Sequence, residues 1–217
     1  MSVKSPVSLS VIRRLPRYYR FLGELKKAGC ARISSRELSE KMGLTASQIR
    51  QDLNCFGGFG QQGYGYNVNS LYDEIANILG LNHQLNAILI GVGNLGKAVA
   101  AHINFEERGF RLIGLFDQNP NLIGTVREGI TVMDTSYLVD FCEKYHPVVA
   151  ILCIPKSAAG ELCERLVTSG IKSFWNFSHY DLTLRYDDVI VENVHLSDSL
   201  MTLGYRVNER FKQNQTQ

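Results

Sequence analysis

Residues 91–96 read GVGNLG, inside the longer run NAILIGVGNLGKAVAAHINF at 86–105. NAILIG is an unbroken apolar run of the kind that forms a buried strand, and the residues after it carry a helical pattern. In a strand–glycine–helix unit each glycine has its own task. Gly91 makes the tight turn, Gly93 lets the backbone approach a pyrophosphate, and Gly96 allows close helix–strand packing. Amides at the start of the helix then supply oriented N–H groups for phosphate.

The residues downstream keep the same rhythm. FRLIGLFD (110–117) is a second strand, ending on Asp117, 21 residues after Gly96. An acid at that distance accepts from the ribose hydroxyls of a dinucleotide. The residues after it, QNPN, are uncharged, so nothing is offered to a 2′-phosphate and NAD(H) is expected over NADP(H). ITVM is a short strand, SYLVDFCEKY a helix, PVVAILCIP a strand, SAAGELCERLVTSG a helix and IKSFWNF a strand. NLGKAVAAHINFEERG reads as one helix. This cadence predicts a doubly wound parallel α/β sheet, a Rossmann domain over 83–195. Ligands of such sheets lie at the carboxyl ends of strands, which adds Pro155 and Asn176 to the expected cofactor contacts.

Residues 1–82 are punctuated differently. LPRYYRFLGELKKAG sets Tyr18, Phe21, Leu22 and Leu25 on one helical face. SSRELSEKMG opens with Ser34 and Glu37 in capping-box spacing, and TASQIRQDLNCF opens with Thr45 and Gln48 in the same spacing. Two short capped helices around a glycine turn predict a helix-turn-helix. In the second, Ile49, Leu53 and Phe56 face the core. Ser47, Gln48, Arg50, Gln51 and Asn54 point outward, with side chains suited to base edges and phosphates. GGFGQQGYGYNV (57–68) then reads as a β-hairpin wing carrying Gln61 and Gln62. The expected partner of this face is double-stranded DNA. SLYDEIANILGLN follows as a helix with Leu71, Ile75, Ile78 and Leu79 on one stripe, and the domain boundary falls near 80–86.

Charge supports two modules. The chain has 217 residues and a net charge of +2, but residues 1–85 carry +5 and the remainder −3. A basic first module expects an anionic partner. The five cysteines lack metal-ligand spacing and read as reduced thiols of a cytoplasmic protein. No apolar run reaches the length of a membrane span, and no signal-peptide core opens the chain. Only about forty residues follow the dinucleotide-binding pattern, too few for a substrate domain, and none of the five histidines sits in a catalytic motif. His179, after a strand end, reads as a loop histidine. The expectation is a sensor without catalysis; an NAD-dependent oxidoreductase is the remote alternative.

The strings IRRLPRYYRFL, SSRELSEKMGLTASQIRQDLNCFGGFGQQGYGYNV, LIGVGNLGKAVA, LFDQNP, NF and VENV together resemble the redox-sensing transcriptional repressors of the Rex family, over roughly residues 10–205. The resemblance implies a cytoplasmic homodimer with a winged-helix N-terminal domain and a Rossmann C-terminal domain. It implies repression that NADH relieves and NAD+ favours, with Gly91, Val92, Gly93, Asn94, Leu95 and Gly96 contacting the cofactor. It also implies a DNA interface from about Arg17 to Phe56, with the wing added. It further implies that LSDSLMTLGYRVNERF, within 196–217, is a domain-swapped dimerisation helix, with Leu196, Leu200, Leu203 and Val207 against a partner. The sequence departs from the family at Gln61 and Gln62, where the wing is usually basic. It departs again at His102, where a tyrosine is common, and at His195, where an aspartate is common. That aspartate can pair with an N-terminal arginine, which a histidine cannot do as a carboxylate does. The alternative function is therefore a DNA-binding regulator of the same fold with a weakened or altered NADH response.

Overall fold

A computed structural model describes residues 7–61 and 64–215. The chain divides into two compact units, Met1–His83 and Gln84–Gln217.

In the first unit, α1 (Leu9–Ile12) leads into α2 (Leu15–Lys27), whose proline stands in the first turn, where its missing N–H costs nothing. Next come β1 (Arg32–Ile33), α3 (Ser35–Met42) and α4 (Ala46–Asn54). The wing strands β2 (Gly60–Gln61) and β3 (Gly65–Asn67) precede α5 (Val68–Ile78). The expected capping box is complete: Glu37 N–H donates to Ser34 Oγ at 3.1 Å, and Ser34 N–H donates to Glu37 Oε2 at 2.8 Å. Gly43 ends α3 in a left-handed conformation, giving the tight turn between α3 and α4. Tyr18, Leu22, Leu38, Met42, Ile49, Leu53, Leu71 and Ile75 form one buried core, flanked by half-buried Phe21, Leu25, Phe56, Ile78 and Leu79. The wing sheet has three strands, not two. β3 pairs antiparallel with both β2 and β1, in the order β1-β3-β2. A two-residue strand such as β1 is too short to show a period in the sequence.

The second unit runs β4 (Leu85–Ile90), α6 (Asn94–His102), β5 (Phe110–Asp117), β6 (Val126–Arg127), β7 (Ile130–Asp134) and α7 (Leu138–Tyr145). It continues with β8 (Val149–Leu152), α8 (Lys156–Thr168), β9 (Ser173–Asn176), β10 (Ile190–Asn193) and α9 (Leu196–Gln215). The strand order is β10-β9-β8-β4-β5-β7-β6, all parallel except the edge pair β6–β7. Setting that edge strand aside, this is the doubly wound order of a dinucleotide-binding sheet, with its reversal between β4 and β8. The expected helix over 94–109 is corrected: α6 stops at His102. Ile103 turns extended and Phe105 is drawn into the core beneath the sheet, so only a 3-10 turn, Glu106–Arg108, follows. No helix of the described residues is long and apolar enough to cross a membrane.

Candidate functional site

The glycine loop takes the conformation that its spacing demands. Gly91 has φ +92°, and a Cβ there would lie 2.5 Å from the Cys153 carbonyl oxygen. Gly96 is tighter still, since its Cβ would come within 1.8 Å of the Gly91 carbonyl oxygen. Gly93 differs from both. It caps the N-terminus of α6, and a Cβ there would meet no atom within 4 Å. Two of the glycines are thus required by the fold. The third faces open space, where a ligand's phosphates would approach.

That space is a cleft of about 200 Å³ at the β4/β8 reversal, lined by Ile90, Gly91, Gly93, Asp117, Gln118, Thr135, Cys153, Ile154, Pro155, Ala158 and Leu162. Of the expected cofactor residues, Gly91, Gly93, Asp117 and Pro155 border it. Val92 is fully buried, while Asn94 and Leu95 are exposed on the first turn of α6. Asp117 holds the loop together. Its Oδ2 accepts the Val92 N–H at 2.6 Å and its Oδ1 accepts the Asn119 N–H at 2.8 Å, tying the glycine loop to the end of β5. Each oxygen keeps a lone pair for a further donor.

Asn176 is buried and inward-facing. Its Nδ2 donates to the Tyr180 carbonyl at 2.8 Å and to Asn193 Oδ1 at 2.7 Å, and its Oδ1 accepts from Ser178 N–H and Oγ at 3.0 and 2.6 Å. It organises the loop after β9 and does not border the cleft. Thr135 and Cys153, which do, went unnoticed in the sequence. Arg165 fixes Thr135 by donating to its carbonyl at 2.7 Å. Burial pushes the Cys153 thiol up to about 12, so it is no thiolate nucleophile. All five cysteines are free thiols, and among the described residues no cluster of metal-ligating side chains occurs.

In the first unit, Ser47, Arg50, Gln51 and Asn54 form one exposed stripe along α4 at i, i+3, i+4 and i+7, opposite Ile49 and Leu53. Arg50 Nη1 donates to Ser35 Oγ at 3.1 Å. Gln48 departs from the expected outward orientation. Its N–H donates to Thr45 Oγ1, but its side chain does not return to close a capping box; Nε2 donates inward to Asp52 Oδ1 at 2.8 Å. Arg17 is exposed and donates to the Met42 carbonyl at the end of α3. Gln61 ends β2, and Gln62 lies outside the described residues.

Asp52 is the residue that sequence reasoning passed over. It is fully buried and accepts four hydrogen bonds: Arg14 Nε at 2.7 Å, Arg14 Nη2 at 2.8 Å, Tyr18 Oη at 2.9 Å and Gln48 Nε2. Burial alone raises its pKa, but donation from Arg14, Gln48 and Tyr18 outweighs it, and the net shift is downward. The signal was present: Asp52 stands at i+3 from Ile49, on the apolar face of α4.

His195 is half-buried after β10. Its ring packs edge-on against His179 at 4.5 Å, and its Nδ1 lies 3.9 Å from Asp198 Oδ2. His179 holds a left-handed φ of +58° in an exposed loop, and His102 closes α6. On α9, Leu196, Leu200, Met201, Leu203, Tyr205, Val207 and Phe211 are all exposed in the single chain.

A helix-turn-helix unit with a three-stranded wing, followed by a Rossmann unit with a glycine-loop cleft, defines a class: DNA-binding architecture joined to a dinucleotide fold. Comparison with known proteins agrees. Residues 6–54 match the family model described as "Putative DNA-binding protein N-terminus", and residues 82–180 match the "CoA binding domain" model. The redox-sensing transcriptional repressor Rex of Thermoanaerobacter pseudethanolicus is 59% identical over 96% of this chain and 93% of its own length. Rex of Clostridium botulinum is 52% identical over 96% and 99%. Two crystal structures of RSP are similar. Its complex with β-NAD+ and operator DNA has a TM-score of 0.89 at 56% identity, covering 99% of each chain. Its complex with β-NADH also scores 0.89, at 53% identity, over 99% and 100%. The chain belongs to the Rex family of redox-sensing transcriptional repressors.

Proposed function

We propose that this protein is a cytoplasmic repressor that binds operator DNA as a homodimer and responds to the NADH/NAD+ ratio, NADH releasing it from DNA. The observation that carries the reading is the glycine loop. Gly91 and Gly96 are sterically closed to any side chain, whereas Gly93 opens on empty space beside the Asp117 carboxylate. The α6 amides would hold the pyrophosphate and Asp117 the adenosine ribose, with Val92, Asn94 and Leu95 completing the turn. Pro155 borders the nicotinamide end. Asn176 acts behind it by fixing the β9 loop.

DNA is read by the α4 stripe Ser47, Arg50, Gln51 and Asn54, supported by Arg17 and by Gln61 and Gln62 of the wing. Gln48 serves α4 from within. Exposed α9 supplies the dimer surface: a run of large apolar side chains on one helix is an interface in search of a second copy. NADH then shifts the dimer toward an arrangement whose two recognition helices no longer match the operator spacing, to the extent that it binds that arrangement better. Gel-shift titration of operator DNA with NADH and with NAD+ tests the reading. Selective release by NADH is expected, and equal effects of both nucleotides would sink it.

A second reading keeps DNA binding with an altered NADH response. It is favoured by His195, whose partners, His179 and Asp198, both lie within its own unit. Tight NADH binding by calorimetry, with unchanged affinity for operator, would select it.

A further inference from the structure

The wing is almost without charge. Of the seven residues in β1, β2 and β3, Arg32 alone is ionic, and residues 57–67 contain no Lys, Arg, Asp or Glu. Any electrostatic contact by this sheet therefore passes through Arg32. Its neighbour Ile33 points into the core, so the alternation of a strand places Arg32 on the outer face, where it is exposed.

The guanidinium is held in place. Nη1 donates to the Tyr64 carbonyl at 3.3 Å, and Cζ lies 5.9 Å from the centre of the Tyr64 ring. Tyr64 itself is 69% exposed, so its ring is not anchored by the core. Among the described residues no carboxylate pairs with Arg32. One of five N–H groups is committed, and the others form a fork that matches a phosphate. The hydrogen bond to the Tyr64 carbonyl, with the ring at the edge of cation–π range, narrows the rotamers of Arg32 before a ligand arrives, which lowers the entropy of capture.

We infer that Arg32, pre-oriented on Tyr64, is the wing's contact to a backbone phosphate of the operator. This rests on the DNA-binding reading above and adds a residue that the α4 stripe does not include. A guanidinium carried on a strand and tethered to a carbonyl reaches the edge of a groove, where phosphates lie; reading of base edges is left to α4.

The test uses the full chain and a duplex selected from random sequence by the wild-type protein. Affinity is measured between 50 and 200 mM salt for wild type, Arg32→Ala, Arg32→Lys and Tyr64→Ala. One phosphate contact per wing is worth about 0.9 in the slope of log affinity against log salt, so a dimer of Arg32→Ala should lose about 1.8. The advantage of wild type then shrinks by about twelvefold across that salt range. Arg32→Lys should keep the slope, and Tyr64→Ala should keep it with a two- to fivefold loss of affinity. An unchanged slope in Arg32→Ala overturns the contact. So does a loss confined to duplexes with A·T pairs beneath the wing, which would mean groove reading. A wild type that selects no duplex overturns the DNA-binding reading itself, and the wing contact with it.

Discussion

Removing the Asp52 carboxylate should destabilise the first unit selectively. In Asp52→Ala the fully buried Tyr18 hydroxyl loses its acceptor, and Arg14 and Gln48 lose theirs. Breaking a buried ion pair from one side costs about 3–5 kcal/mol. The Arg14 side chain is 28% exposed and can turn to water, so the lower end applies, about 3 kcal/mol. For a unit of this size that is a fall of about 15 °C in its transition. The assay separates the units. The chain's one tryptophan, Trp175, lies on β9, so its fluorescence follows the second unit, while far-UV dichroism follows both. The dichroism transition of the first unit should drop with the tryptophan transition unmoved. Asp52→Asn gives the pH test. The folded pKa of Asp52 is depressed, so its contribution is complete above the unfolded value of 3.8 and is lost as pH falls through the lower folded value. The gap between wild type and Asp52→Asn should be flat above about pH 5 and close only in stronger acid. A loss under about 1 kcal/mol, the size of an ordinary surface change, would refute the reasoning.

The glycines should separate stability from binding. Gly96→Ala, forced against the Gly91 carbonyl, should lower the tryptophan transition by several degrees or prevent folding, whereas Gly93→Ala should melt like wild type yet bind NADH at least about tenfold more weakly by calorimetry. Asp117→Asn turns one acceptor into a donor facing the Val92 or Asn119 amide and should weaken NADH by about ten- to a hundredfold, read by the same titration. Leu200→Asp with Leu203→Asp removes two exposed leucines from α9 and should weaken dimerisation by at least about a hundredfold in sedimentation equilibrium; a wild type that is already monomeric would end the α9 proposal.

Local chemistry with a short period was legible in the sequence. The strand before Gly91 and the box between Ser34 and Glu37 each depend on residues a few positions apart, and the fold repeats them as read; Asp117 ends its strand as the spacing expects. What escaped was fixed by distant partners. Gln48 was expected outside because glutamine is polar, yet a carboxylate one turn on draws it inward. Asp52 is buried only because Arg14 and Tyr18, 38 and 34 residues away, meet it there. β1 exists only as the partner of β3, and α6 ends early because Phe105 finds a place in the core. Asn176 was correctly placed at a strand end, but its four hydrogen bonds to the following loop and to Asn193 depend on β9 lying beside β10.

Two carboxylates also bear on how a nucleotide signal can act. Asp52 fixes α4, the element proposed to meet DNA, and Asp117 fixes the loop proposed to meet the nucleotide. Rupture of the Asp52 network costs about 3–5 kcal/mol. The coupling free energy between two ligand sites is typically about 1–3 kcal/mol. A coupling of the usual size would be spent in full, or exceeded, by breaking the interior of the DNA-reading unit. On this arithmetic we expect the recognition stripe to keep its shape with either nucleotide, the ligand acting instead on how a dimer presents its two copies.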